Sequence, residues 1–92
     1  MSDELDRARR RAIALRYDAA RDSAPKVIAR GRGYTAEKIV ELARQHGLPV
    51  HHDPDLAALL AELEVNQEIP EDLYKAVAEV LAFVYRLSRE SP

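Results

Sequence analysis

The chain has no cysteine, no tryptophan, one phenylalanine, one asparagine and only three glycines in 92 residues. Without cysteine there is no disulfide, no thiol nucleophile and no thiolate metal site, a composition suited to a reducing compartment. No apolar run approaches the roughly 18 residues of a membrane span, and the opening Met-Ser-Asp-Glu-Leu-Asp-Arg-Ala-Arg-Arg has no hydrophobic signal core. Glycine is too sparse for a phosphate loop. Gly31-Arg32-Gly33 lacks a third glycine and a following Lys-Ser/Thr pair, and it reads as a strand that ends and turns into a helix. The net charge of −2 gives no overall basic field of the kind that marks nucleic-acid binding.

What is present suits one small domain. Hydrophobic residues make up 47%, enough for a modest core, and charged residues 33%, above the usual ~25%. The charge is unevenly placed. From Arg7 to Arg44 eleven basic residues face four acidic ones, a balance of +7. From Gln45 onward three basic residues face nine acidic ones, a balance of −6, and the first six residues add −3. Such asymmetry can mark a basic docking face. It also arises when two halves pack around one core and cancel, the reading that suits so small a domain.

Residues 1–10 read as a tail or short helix, residues 11–88 as the folded domain, and residues 89–92 as a second tail. Arg11, Ile13, Leu15 and Tyr17 alternate with Ala12, Ala14 and Arg16, the period of a strand, which makes Tyr17 a core residue in phase with Ile13. Residues 18–25 are a turn-rich loop. Lys26 to Arg32 read as a second strand, with Val27 and Ala29 on one face and Ile28 on the other, antiparallel to the first. Thr35 suits an N-cap, and Ala36, Ile39, Val40 and Ala43 form the apolar stripe of a helix ending at Gly47. Leu48 to His51 can form a third strand. The strand–helix–strand crossover would make it parallel to the second strand and right-handed. Asp53-Pro54 signals a helix start, followed by the stripe Leu56, Leu59, Leu60 and Leu63. Residues 64–70 are a connector in which Asn66 suits a left-handed position. The last helix begins near Pro70 with Leu73, Val77, Val80, Leu81, Val84 and Leu87 on its apolar side and a Glu71–Lys75–Glu79 ladder opposite. The expected fold class is α/β: a small mixed β-sheet of about three strands flanked by three to four helices.

The residues offer no catalytic constellation. Ser2, Ser23, Thr35, Ser88 and Ser91 have no nucleophile-elbow setting and no paired histidine and acid. His46, His51, His52 and Asp53 are the nearest approach to a metal set. Adjacent histidines on an extended chain point apart, and Asp53 is committed as a cap, so no metal and no cofactor is expected. The acid pairs Asp53/Asp55, Glu62/Glu64 and Glu71/Asp72 fall at helix starts and polar faces. The run Arg7-Ala8-Arg9-Arg10-Arg11 could meet RNA or an anionic surface. It lacks the interleaved aromatics of a nucleic-acid platform, so no nucleic acid is expected.

Five segments in order carry a resemblance: Ala-Leu-Arg-Tyr-Asp (14–18), Ala-Pro-Lys-Val-Ile-Ala-Arg-Gly (24–31), Asp-Pro-Asp-Leu-Ala (53–57), Gln-Glu-Ile-Pro-Glu-Asp-Leu-Tyr (67–74) and Ala-Val-Ala-Glu-Val-Leu-Ala-Phe-Val-Tyr-Arg-Leu (76–87). Residues 11–88 resemble the cytoplasmic C-terminal domain of the FlhB/YscU-type flagellar and type III secretion export switch family. The resemblance implies a small mixed sheet flanked by helices, a place at the cytoplasmic face of the inner-membrane export gate, and partners among export-gate proteins and export substrates. Full-length members carry a transmembrane domain and an Asn-Pro-Thr-His motif, where asparagine cyclises and cleaves the chain. Here the motif positions hold Arg7, Ala8, Arg9 and Arg10, and the only asparagine is Asn66. Self-cleavage by that chemistry is therefore not expected, and the chain resembles the released fragment made as a free-standing accessory. The resemblance places an apolar docking patch at Ala24, Pro25, Ala78 and Leu81. Loop placement favours exposure of Ala24 and Pro25, whereas Leu81 falls on the buried stripe. It also implies that the first strand lacks a neighbour. Arg11, Ile13 and Leu15 would then lie on an open edge, protected by Arg11 and Arg16 or paired with a second copy or an export-gate protein.

Overall fold

A computed structural model describes residues 9–18 and 20–90, with side chains through Phe83. Its described elements are β1 (Arg11–Arg16), β2 (Lys26–Arg32), α1 (Tyr34–Gln45), α2 (Pro54–Leu60), a 3₁₀ turn (Glu71–Leu73) and α3 (Tyr74–Glu90). The α/β class holds, with helices packed on a small sheet.

The sheet has two described strands, not three. β1 and β2 pair antiparallel, with Arg11 opposite Arg32, Ala12 opposite Gly31 and Leu15 opposite Val27. The register slips between Ala14 and Leu15, because Ala14 faces Ala29 while Leu15 faces Val27. Ile28 is thus the extra residue of a β-bulge. Opposed residues share a face and neighbours on β1 alternate, so the bulge puts Val27 and Ala29 on opposite faces. That corrects the expectation that they share one.

Each face then has its own packing. Ala12, Ala14, Ala29 and Gly31 make a shallow face on which α1 lies, since α1 packs against both strands. Ile13, Leu15 and Val27 make the other. Val27 is fully buried with Leu56, Leu60, Leu63, Ile69 and Val77, and Ile13, Leu15, Leu73, Ala76, Val80 and Leu81 pack around that cluster.

Helix ends follow their local chemistry. Gly33, at φ 59°, caps α1 in place of Thr35, because only the residue turning out of β2 needs the left-handed region. α1 closes with Leu48 N–H on the Ala43 carbonyl (2.8 Å) and Gly47 N–H on the Arg44 carbonyl (3.1 Å), the two bonds of a Schellman motif, with Gly47 at φ 68°. At α2, Asp53 accepts from Leu56 N–H at 3.1 Å and Pro54 occupies the first turn, as the sequence signals. Asn66 takes φ 74°, also as expected.

The other departures have physical causes. Leu48–His51 lies outside any described strand: among the described residues no strand pairs with it to complete a ladder, and Leu48 and Val50 stay exposed. Tyr17 lies beyond the end of β1 and is exposed rather than core. Leu59 is exposed, because the stripe Leu56, Leu60 and Leu63 already covers the inward arc of α2. The Glu71–Lys75–Glu79 ladder does not form, since Glu71 belongs to the 3₁₀ turn and, among the described residues, no ion pair joins the three. The side chains of Val84 and Leu87, and residues 1–8 including Arg7, lie outside the described residues.

Candidate docking surfaces

The loop between β1 and β2 is built on two aspartates. Asp18 accepts through its carbonyl from Arg21 N–H (2.9 Å) and Asp22 N–H (2.7 Å), and through its side chain from Ala20 N–H (3.0 Å). Asp22 is buried and returns the contact. Its carboxylate accepts from Asp18 N–H at 3.1 Å and from the Arg16 guanidinium at 3.3 Å. The Asp18 N–H, and after it Arg16, hold the Asp22 carboxyl below its ordinary value against the opposing effect of burial. A carboxyl depressed in the folded state contributes stability that is present above its unfolded value of about 3.9 and is lost as pH falls through the folded value. Asp22→Asn is therefore expected to melt below the wild type at neutral pH, with the gap closing in acid. Thermal melts across that range check it, and a gap constant with pH would contradict the assignment.

The end of this loop meets the connector. The Pro25 carbonyl accepts from Ile69 N–H (2.9 Å), Val27 N–H donates to the Gln67 carbonyl (3.0 Å), and the Val27 carbonyl accepts from Asn66 N–H (2.7 Å). Lys26 and Glu68 face each other as an isolated bridge, and Ser23 Oγ lies 3.2 Å from Glu68 Oε1. Residues 66–69, read from the sequence as a plain connector, thus cover the first half of the outer edge of β2. They also carry Ile69 into the core and deliver the chain to α3.

The four residues of the expected docking patch differ in exposure. Ala24 is 1% exposed, which corrects the expectation that its loop position leaves it open. Pro25 is half-buried beside Ile69, Ala78 is exposed on α3 next to the buried Val77, and Leu81 is half-buried against the core. Pro25, Ala78 and Leu81 thus keep solvent access and Ala24 does not.

The second expected surface is β1. Its ladder runs to β2 alone, extended by Gly33 N–H on the Arg10 carbonyl at 2.8 Å, and among the described residues no backbone bond reaches its outer side. Ile13 and Leu15 point toward the core, and Arg11 and Arg16 stand exposed at the two ends. Arg11, Ile13, Arg30, Gly31, Arg32, Ala58, Ala61 and Glu62 line a groove of about 380 Å³ between the sheet and α2.

Arg30 is a residue that sequence reasoning missed. Its guanidinium donates to the carbonyls of Ala61 (3.0 Å) and Leu63 (2.8 Å) and meets Glu64 at 3.4 Å. It satisfies acceptors left open past the end of α2 and ties β2 to the connector. No local signal marks a partner some thirty positions away. Asp22 was missed for a different reason: its turn composition was visible but its burial was not.

The histidines stay apart in role. His46 caps α1, His51 packs edge-on against the Phe83 ring at 5.7 Å, and His52 is exposed. No group of three or more histidines and acids able to hold a metal forms among the described residues. In the basic run, Arg10 is paired with Glu37 at 3.5 Å. No described helix is long and apolar enough to cross a membrane.

Comparison with known proteins gives this geometry a context. Residues 9–84 match the model of the FlhB HrpN YscU SpaS family. The chain is 45% identical over 78 residues to the uncharacterized protein YlqH of Bacillus subtilis, covering 85% of this chain and 84% of YlqH. It is 52% identical over 79 residues to the flagellar biosynthetic protein FlhB of Yersinia enterocolitica, covering 85% of this chain and 21% of FlhB. The chain thus spans about a fifth of the length of that FlhB relative. The crystal structure of the cytoplasmic domain of FlhB from Shewanella putrefaciens superposes with a TM-score of 0.82 at 40% identity, over 86% of this chain and 65% of that one. A domain with this hairpin, this helical packing and this sequence belongs to the FlhB HrpN YscU SpaS family of flagellar and type III export switch proteins.

Proposed function

We propose that the chain is a non-catalytic component of a flagellar or type III export apparatus, acting at the cytoplasmic face of the export gate by binding gate proteins or export substrates. The observation that carries this reading is the match of fold and sequence to a cytoplasmic FlhB domain. Two surfaces serve the binding. Pro25, Ala78 and Leu81, with Ala24 shaping the turn beneath them, form a shallow apolar patch for a short segment of a substrate. The open side of β1, with Arg11, Ile13 and Leu15, accepts an added strand. Neither surface calls for a metal or cofactor. The chain works uncut, because Arg7-Ala8-Arg9-Arg10 supplies no asparagine amide to cyclise. In these respects it would compete with, or replace, the released fragment of a full-length switch protein.

The test is affinity capture from export-competent bacteria with the wild type, Pro25→Asp and Ala78→Asp. Ala78 is exposed, so its substitution leaves the core intact. Export-apparatus proteins or export substrates are expected to be retained by the wild type and depleted by both variants. Retention unchanged by both variants would remove the patch, and recovery of no export component would remove the reading. Mass spectrometry of the purified protein is expected to find one unclipped chain.

A further inference from the structure

We draw no further inference here: the strongest candidate, the exposed surface patch of Arg11 and Arg32 at the facing ends of β1 and β2 with Tyr34 and Lys38 at the start of α1, sets an aromatic ring among cations, but nothing in the structure shows what covers it.

Discussion

Replacing Ile69 with alanine is expected to destabilise the domain by about 2–5 kcal/mol, more than any other substitution proposed for this protein. Ile69 is 2% exposed and lies among Val27, Leu56, Leu60, Leu63 and Val77. Its side chain joins pieces contributed by β2, α2, the connector and α3. Its backbone N–H is fixed by the Pro25 carbonyl at 2.9 Å, so the chain cannot slide inward to fill the space that truncation leaves. A cavity that cannot collapse lies at the costly end of such substitutions. In a domain of this size each kcal/mol moves the melting temperature by roughly 4–8 °C, so the shift is easily measured by thermal melting or urea titration. Ile69→Val, which removes one methyl group, is expected to cost only about 0.5–1.5 kcal/mol. A melting temperature for Ile69→Ala equal to that of Ile69→Val would show that the connector contributes no packing to the core.

Gly31→Ala is expected to cost about 1–3 kcal/mol by overpacking. In a strand interior alanine is normally the better residue, by roughly 0.5–1 kcal/mol, so the sign of this prediction depends on space alone. A Cβ on Gly31 would stand 2.5 Å from Thr35 Cγ2, 2.9 Å from Ile39 Cδ1 and 3.0 Å from the Thr35 carbonyl carbon. The Ile39 methyl can swing away, but the Thr35 backbone is held in the first turn of α1. The helix must lift from the shallow face of Ala12, Ala14 and Ala29, or the strand must bend. Thr35→Ser removes the nearest methyl group and is expected to restore only part of the loss in the double variant, because the backbone contact remains. Full tolerance of Gly31→Ala in otherwise wild-type protein would show that the helix-to-sheet spacing is set elsewhere.

Features governed by adjacent residues were legible in the sequence. Asp53-Pro54 starts α2, Gly47 ends α1, Asn66 takes the left-handed turn and Val77 is buried on the stripe of α3. Features that depend on distant partners were not. The bulge at Ile28 is a register choice between two strands, and alternation read along one strand cannot show it. Leu48–His51 has strand composition, yet a strand exists only where a neighbour completes its ladder. The connector looked like a loop because its bonds run to Pro25 and Val27, far back in the chain. The loop position of Ala24 suggested exposure, yet the residue is buried.

The two sides of this small sheet differ in kind. Residues 66–69 occupy the first half of the outer edge of β2, and the bulge at Ile28 bends that strand. Runaway growth into a fibre needs two complementary free edges on every subunit, so that each addition templates the next. Residues 66–69 already fill that half of the β2 edge, so the described sheet lacks there the second free edge that such growth needs.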